Sequence, residues 1–144
     1  MKSLLILLFV ISNVFALTPF SLEGLKEVNV KVVEKNNLLT NDFKTKLKEK
    51  IKIQLKQVGL KTSTKKYSNF IVKIESINIE ESYAVLIKLF IVEDVVLVDD
   101  KSNIKMGITF SKSDFIDTSD VLVDVEESVD YLVDEFLEQY KDEN

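Results

Sequence analysis

The chain has 144 residues, 24 acids against 19 basic residues that are all lysine, a net charge of −5, and no histidine, cysteine, arginine or tryptophan. Those absences remove the ordinary zinc ligand sets, the Ser-His-Asp and Cys-His pairs, and the bidentate guanidinium fork for phosphate. The acidic balance argues against nucleic acid as a partner, and three glycines are too few for a Gly-rich phosphate loop.

The chain opens MKSLLILLFVISNVFALTPF. A basic leader at Lys2, an apolar run from Leu4 and the small or medium residues Val14-Phe15-Ala16 read as a secretory signal peptide over 1–16, cut after Ala16. The apolar run falls short of the about 20 residues needed to span a bilayer. Val95–Val98 is shorter still and is bracketed by Asp94 and Asp99. The expected product is one domain over 17–144 with no transmembrane segment, periplasmic or secreted. With no cysteine, burial alone must hold it together.

LEGLKEVNVKVVE predicts a strand, with Val28, Val30 and Val32 on one face. In NDFKTKLKEKIKIQLKQVG, the residues Phe43, Leu47, Ile51, Leu55 and Val58 form one helical stripe, predicting a helix over 41–58. Thr40 or Asn41 caps its start; Gly59 and Leu60 suit a left-handed exit. NFIVKIESINI alternates through Phe70, Val72 and Ile74, then slips near Ser76, where a bulge or a strand leaving the sheet is expected. SYAVLIKLFIVEDVVLV is a long strand, and DDKSN a turn. IKMGITF alternates Ile104, Met106, Ile108 and Phe110, and SKSDFIDTSD reads as a loop. A last helix is expected from Asp124, with Glu127 as capping-box partner.

The order β-α-β-β-β-α gives an α+β, two-layer fold: a four-stranded mixed sheet with two helices on one face. Strands one and two are parallel across the helical crossover, and the rest form an antiparallel meander. The helix-covered face is expected to carry the three valines, Phe70, Val72, Ile74, Val85, Ile87, Leu89, Ile91, Ile104, Met106, Ile108 and Phe110.

The acids Glu127, Asp130, Asp134 and Glu138 fall on one side of the last helix, opposite Val125, Val129, Leu132, Phe136 and Tyr140. One convex helix face offers neither the burial that shifts a carboxylate's pKa nor oxygens converging on an ion. It reads as a solvated face, with weak divalent-ion binding as the alternative. The first helix carries six lysines, at 44, 46, 48, 50, 52 and 56, and the last is strongly acidic. The two rows either face each other or are solvated separately.

The opposite sheet face reads mostly polar, as an open face should. Ile71, Leu86, Phe90 and Val92 are the exceptions. They form a candidate interaction patch, although apolar residues also favour strands on general grounds.

LEGLKEVNVKVVE, LKEKIKIQLKQVGLKT, SYAVLIKLFIVEDVVL and VDYLVDEFLEQYKDEN together resemble an uncharacterised family of short exported bacterial (periplasmic) proteins. That resemblance implies an envelope location and brings no activity, cofactor or site with it. The layout also looks like small interaction domains of envelope transport systems. The expectation is a non-enzymatic protein-interaction or structural module of the cell envelope, without cofactor or metal. It would act through self-association or an envelope partner at the open sheet face. The alternative is a periplasmic protein binding a small ligand or a divalent ion.

Overall fold

The computed structural model describes residues 22–64, 68–97 and 99–144; the signal peptide read at 1–16 lies outside them. The elements are β1 (Glu27–Glu34), α1 (Asn41–Gln57), β2 (Lys61–Thr62), β3 (Asn69–Ile79), β4 (Ser82–Val96), β5 (Ile104–Thr118) and α2 (Val121–Glu143). They form a five-stranded mixed sheet in the order β2-β1-β3-β4-β5. β1 pairs in parallel with β2 and β3, while β3-β4-β5 is an antiparallel meander. Leu47, Ile51 and Leu55 of α1 and Val125, Val129, Leu132 and Phe136 of α2 share one core with Val30, Phe70, Val72, Ile87 and Leu89. Both helices therefore cover the same sheet face. Among the described residues no helix is long and apolar enough to cross a membrane.

The α1 termini follow from local chemistry. The Thr40 hydroxyl accepts the Phe43 N–H at 3.2 Å. At the other end Leu60 N–H donates to the Leu55 carbonyl and Gly59 N–H to that of Lys56, with Gly59 at φ 83°. This six-to-one and five-to-two pairing is the Schellman exit, which glycine enters without a Cβ penalty. It returns the chain alongside β1, where Lys61 N–H reaches the Lys26 carbonyl at 3.0 Å. The result is a fifth strand, β2, in place of the expected four; two residues are too few to leave a periodicity.

Three boundaries differ from expectation. SKSDFIDT is not a loop: it continues β5 to Thr118. Its polar letters suggest a turn, but β4 offers an unbroken partner from Tyr83 to Phe90. α2 begins at Val121, not Asp124, because Asp120 caps it by accepting the Val123 N–H at 3.5 Å. Asp124 instead accepts the Thr118 hydroxyl from within the first turn, and Glu127 is no capping partner. Nor does β3 slip at Ser76: it pairs with β4 without interruption from Asn69 to Ile79. Ser76 is simply a small buried residue on the helix side, opposite Val85.

Among the described residues, the register of the sheet shifts in β5. Ile91 pairs with Phe110, but Val92 pairs with Ile108, which leaves Thr109 as an extra residue. Such a bulge changes which face the following residues occupy. Phe110 stays in the core at 2% exposure, whereas Ile104, Met106 and Ile108 are 61%, 67% and 53% exposed. These three, expected in the core, stand on the open face with Val96, Asp94 and Val92.

The charged helices meet at one point. Lys50 of α1 donates to Glu126 at 2.5 Å and to Asp130 at 2.6 Å. Asp130, and then Glu126, hold its ammonium above the usual lysine pKa. Glu127, Asp134 and Glu138 remain exposed, so among the described residues the two rows touch through Lys50 and the rest of the acidic row is turned to solvent.

Candidate functional site

Cross-strand register decides what shares the open face, because directly opposed residues project to the same side. Ile71 of β3 stands opposite Phe90 of β4, and Val92 opposite Ile108 of β5. Three of the four patch residues are thus brought together, and the bulge adds Ile108, Met106 and Ile104 to them. Leu86 is separated from this group by the Lys73–Lys88 pair. It joins a second cluster instead, opposite Phe115 and next to the Ala84–Ile77 pair. Ile77, Ala84, Leu86 and Phe115 line a depression of about 310 Å³.

Sequence reasoning missed Phe115 because SKSDFIDTSD reads as a loop. It missed Ile104, Met106 and Ile108 because alternation reports that residues share a face, not which one. No pattern in IKMGITF marks Thr109 as the extra residue.

The belt between the clusters is basic. The Glu75 carboxylate pairs with Lys73 at 3.1 Å and Lys35 at 3.8 Å. Lys73 chiefly holds its carboxyl below the usual glutamate pKa. Lys31 and Lys88 on the same face make no ion pair among the described residues. The open face therefore offers two apolar clusters flanking a lysine belt, on a chain that is acidic as a whole.

Acids of β5 and α2 share one depression. Asp114, Asp117, Asp124 and Glu127 border a shallow depression of about 320 Å³. The inner carboxylates are already engaged. Asp114 accepts the Ser128 hydroxyl at 2.7 Å and the Phe115 N–H at 2.9 Å, and Asp124 accepts Thr118. Among the described residues no three acids stand close enough to hold a metal ion.

No family model and no curated protein matches the chain. Among solved structures, a minor lipoprotein from Acinetobacter baumannii is similar over 80% of this chain and 91% of its own, at 13% identity and a TM-score of 0.35.

Proposed function

We propose that the chain is a non-enzymatic interaction module of the cell envelope that docks a partner protein on its open sheet face. One observation carries this reading: the β5 bulge turns Ile104, Met106 and Ile108 onto the face that already holds Ile71, Phe90 and Val92. Ile104, Met106 and Ile108 are exposed and the other three half-buried; apolar surface of this kind marks contact sites. The export signal read at the start of the sequence motivates the compartment. A heterologous partner is favoured over a second copy, since Lys73 and Lys88 lie mid-face and a two-fold pair would set like charges against each other.

The test is site-specific photo-cross-linking of the full chain in envelope preparations. A cross-linking residue at Phe90 should capture one discrete partner. That capture should disappear in Met106→Glu, and the same group at Glu138 should yield nothing. Equal products from both positions, or a Met106→Glu variant that stays folded with an unchanged cross-linking pattern, would remove the proposal.

The depression beside Leu86 and Phe115 favours a second reading, a small apolar ligand. A lipid that raises the melting temperature of the parent chain but not of Leu86→Lys would support it.

A further inference from the structure

Among the described residues, the outer side of β1 is covered for only part of its length. β2 pairs with Glu27 and Val28, Ser63 and Thr64 continue past Val30, which is buried, and no described strand lies beside β1 from Val32 to Glu34. In a parallel pair, alternate residues direct both backbone groups to one neighbour. Asn29 and Lys35 donate to the Ser68 and Ile74 carbonyls at 2.8 and 3.1 Å, on the β3 side. The Val28 carbonyl accepts from Ser63 at 3.0 Å, on the outer side. Val30, Val32 and Glu34 therefore direct their N–H and C=O groups to the outer side; Val30 is covered there, and Val32 and Glu34 face the uncovered edge.

α1 runs along that edge and presents a row of charge to it. Lys44, Lys48, Lys52 and Lys56 recur every four residues and so share one side of the helix. Lys44 and Lys48 border a cavity of about 550 Å³ together with Val32 and Glu34. Lys52 and Lys56 border the next one, about 410 Å³, with Val30. Lys48 and Lys56 make no ion pair among the described residues, while Lys52 holds Glu49 at 2.6 Å. At the end of the groove the Glu34 side chain is fully buried. Its Oε2 lies 3.5 Å from Lys44 Nζ and accepts no hydrogen bond.

We propose that this edge is a strand-addition site for an acidic, extended segment of a partner protein. A strand placed there lies about 4.8 Å beyond β1. Its backbone completes the ladder at Val32 and Glu34, which supplies affinity without regard to side chains. Alternate side chains project toward α1, and acids at those positions meet the lysine row, which supplies selectivity. Lysines beside an edge also repel unwanted pairing. Two copies of β1 would bring two lysine rows together, so the row selects against self-pairing while it admits an acidic strand.

The probe is a blocked nine-residue peptide of alternating glutamate and valine, titrated into the isotope-labelled full chain and followed by amide shifts. Saturable shifts are expected at Val32 and Glu34. Affinity should fall about tenfold or more in the double variant Lys48→Glu/Lys52→Glu, and comparably when salt is raised well past the screening range. It should be unchanged in Phe90→Glu, which separates this edge from the open face. N-methylation of the peptide amides that face β1 should abolish binding, and methylation of the opposite set should not. Absence of shifts along β1 would overturn the proposal. So would equal binding of the two methylated peptides, or polyphosphate binding as tightly as the peptide, which would mean a polyanion site that ignores the backbone edge.

Discussion

β5 is one strand with two different lives. From Phe110 to Thr118 it lies against α2. Phe110 packs edge-on to Phe136 with centroids 5.3 Å apart, Lys112 reaches Glu135 at 2.7 Å, and Asp114 accepts from Ser128. From Ile104 to Ile108 it is paired only with the end of β4, and its apolar residues are exposed. The more regular alternation belongs to the exposed half, and the irregular, polar half is the one anchored to the core. Alternation therefore measures the pleat, while burial is decided by what lies across from it.

Deletions break this comparison most severely. Removing Ser113 slips Asp114, Ile116 and Thr118 to the wrong face, and the variant should lose about 4 kcal/mol or more of stability. Removing Thr109 closes the bulge instead. The pairs Ile91–Phe110 and Val92–Ile108 already exist on either side of it, so the ladder becomes regular with every other side chain in place. The cost is the Thr109 hydroxyl bond to Glu93, at 2.8 Å, about 1 kcal/mol. Denaturant unfolding compares the two; equal losses would mean that the bulge is structural to the whole strand.

Side-chain truncations come next. Phe136 sits between Phe70, at 5.0 Å and 89°, and Phe110, and stacks with Tyr140 at 6.0 Å. Phe136→Ala should cost about 3–5 kcal/mol. Met106→Ala, in the exposed half, should stay within about 0.5 kcal/mol. A large loss for Met106→Ala would show that the open face contributes to the fold, not to contact.

Much of the fold was legible because the strong periodic segments carry their own evidence. Leu47, Ile51 and Leu55 recur at helical spacing and are buried, and Thr40 and Gly59 bound the helix as their chemistry requires. The parallel pairing of β1 and β3 follows from the crossover between them. Failures occurred where a distant partner decides. β2 exists only because the α1 exit points it along β1, and Asp114 and Lys112 are held in a strand by β4 and α2. Of the patch, Ile71, Phe90 and Val92 were legible as open-face residues. Their neighbours Ile108 and Met106 were not, because one unpaired residue at Thr109 reverses their parity. The lysine row of α1 was visible in its four-residue spacing. The uncovered edge beneath it was not, since that depends on where β2 stops.

The smallest test compares the two halves through their lysines. Lys112, in the anchored half, is held above the usual lysine pKa by its hydrogen bond to Glu135. Lys105, in the other half, makes no ion pair among the described residues and is exposed. A raised folded-state pKa means that the native state holds the proton more tightly than the unfolded chain does. The pair's contribution is therefore complete below the unfolded value near 10.5 and disappears as pH climbs through the higher folded value. Because the Lys112 side chain is 42% exposed, solvent screening keeps the effect at about 1 kcal/mol or less. Lys112→Met should be less stable than the parent at neutral pH by that amount, with the gap closing above the lysine range and in high salt. Lys105→Met should show no gap under either condition. A gap for Lys112→Met that survives alkaline pH would belong to the packing of its methylene stem against α2, and the anchoring of this half of β5 would then be apolar throughout.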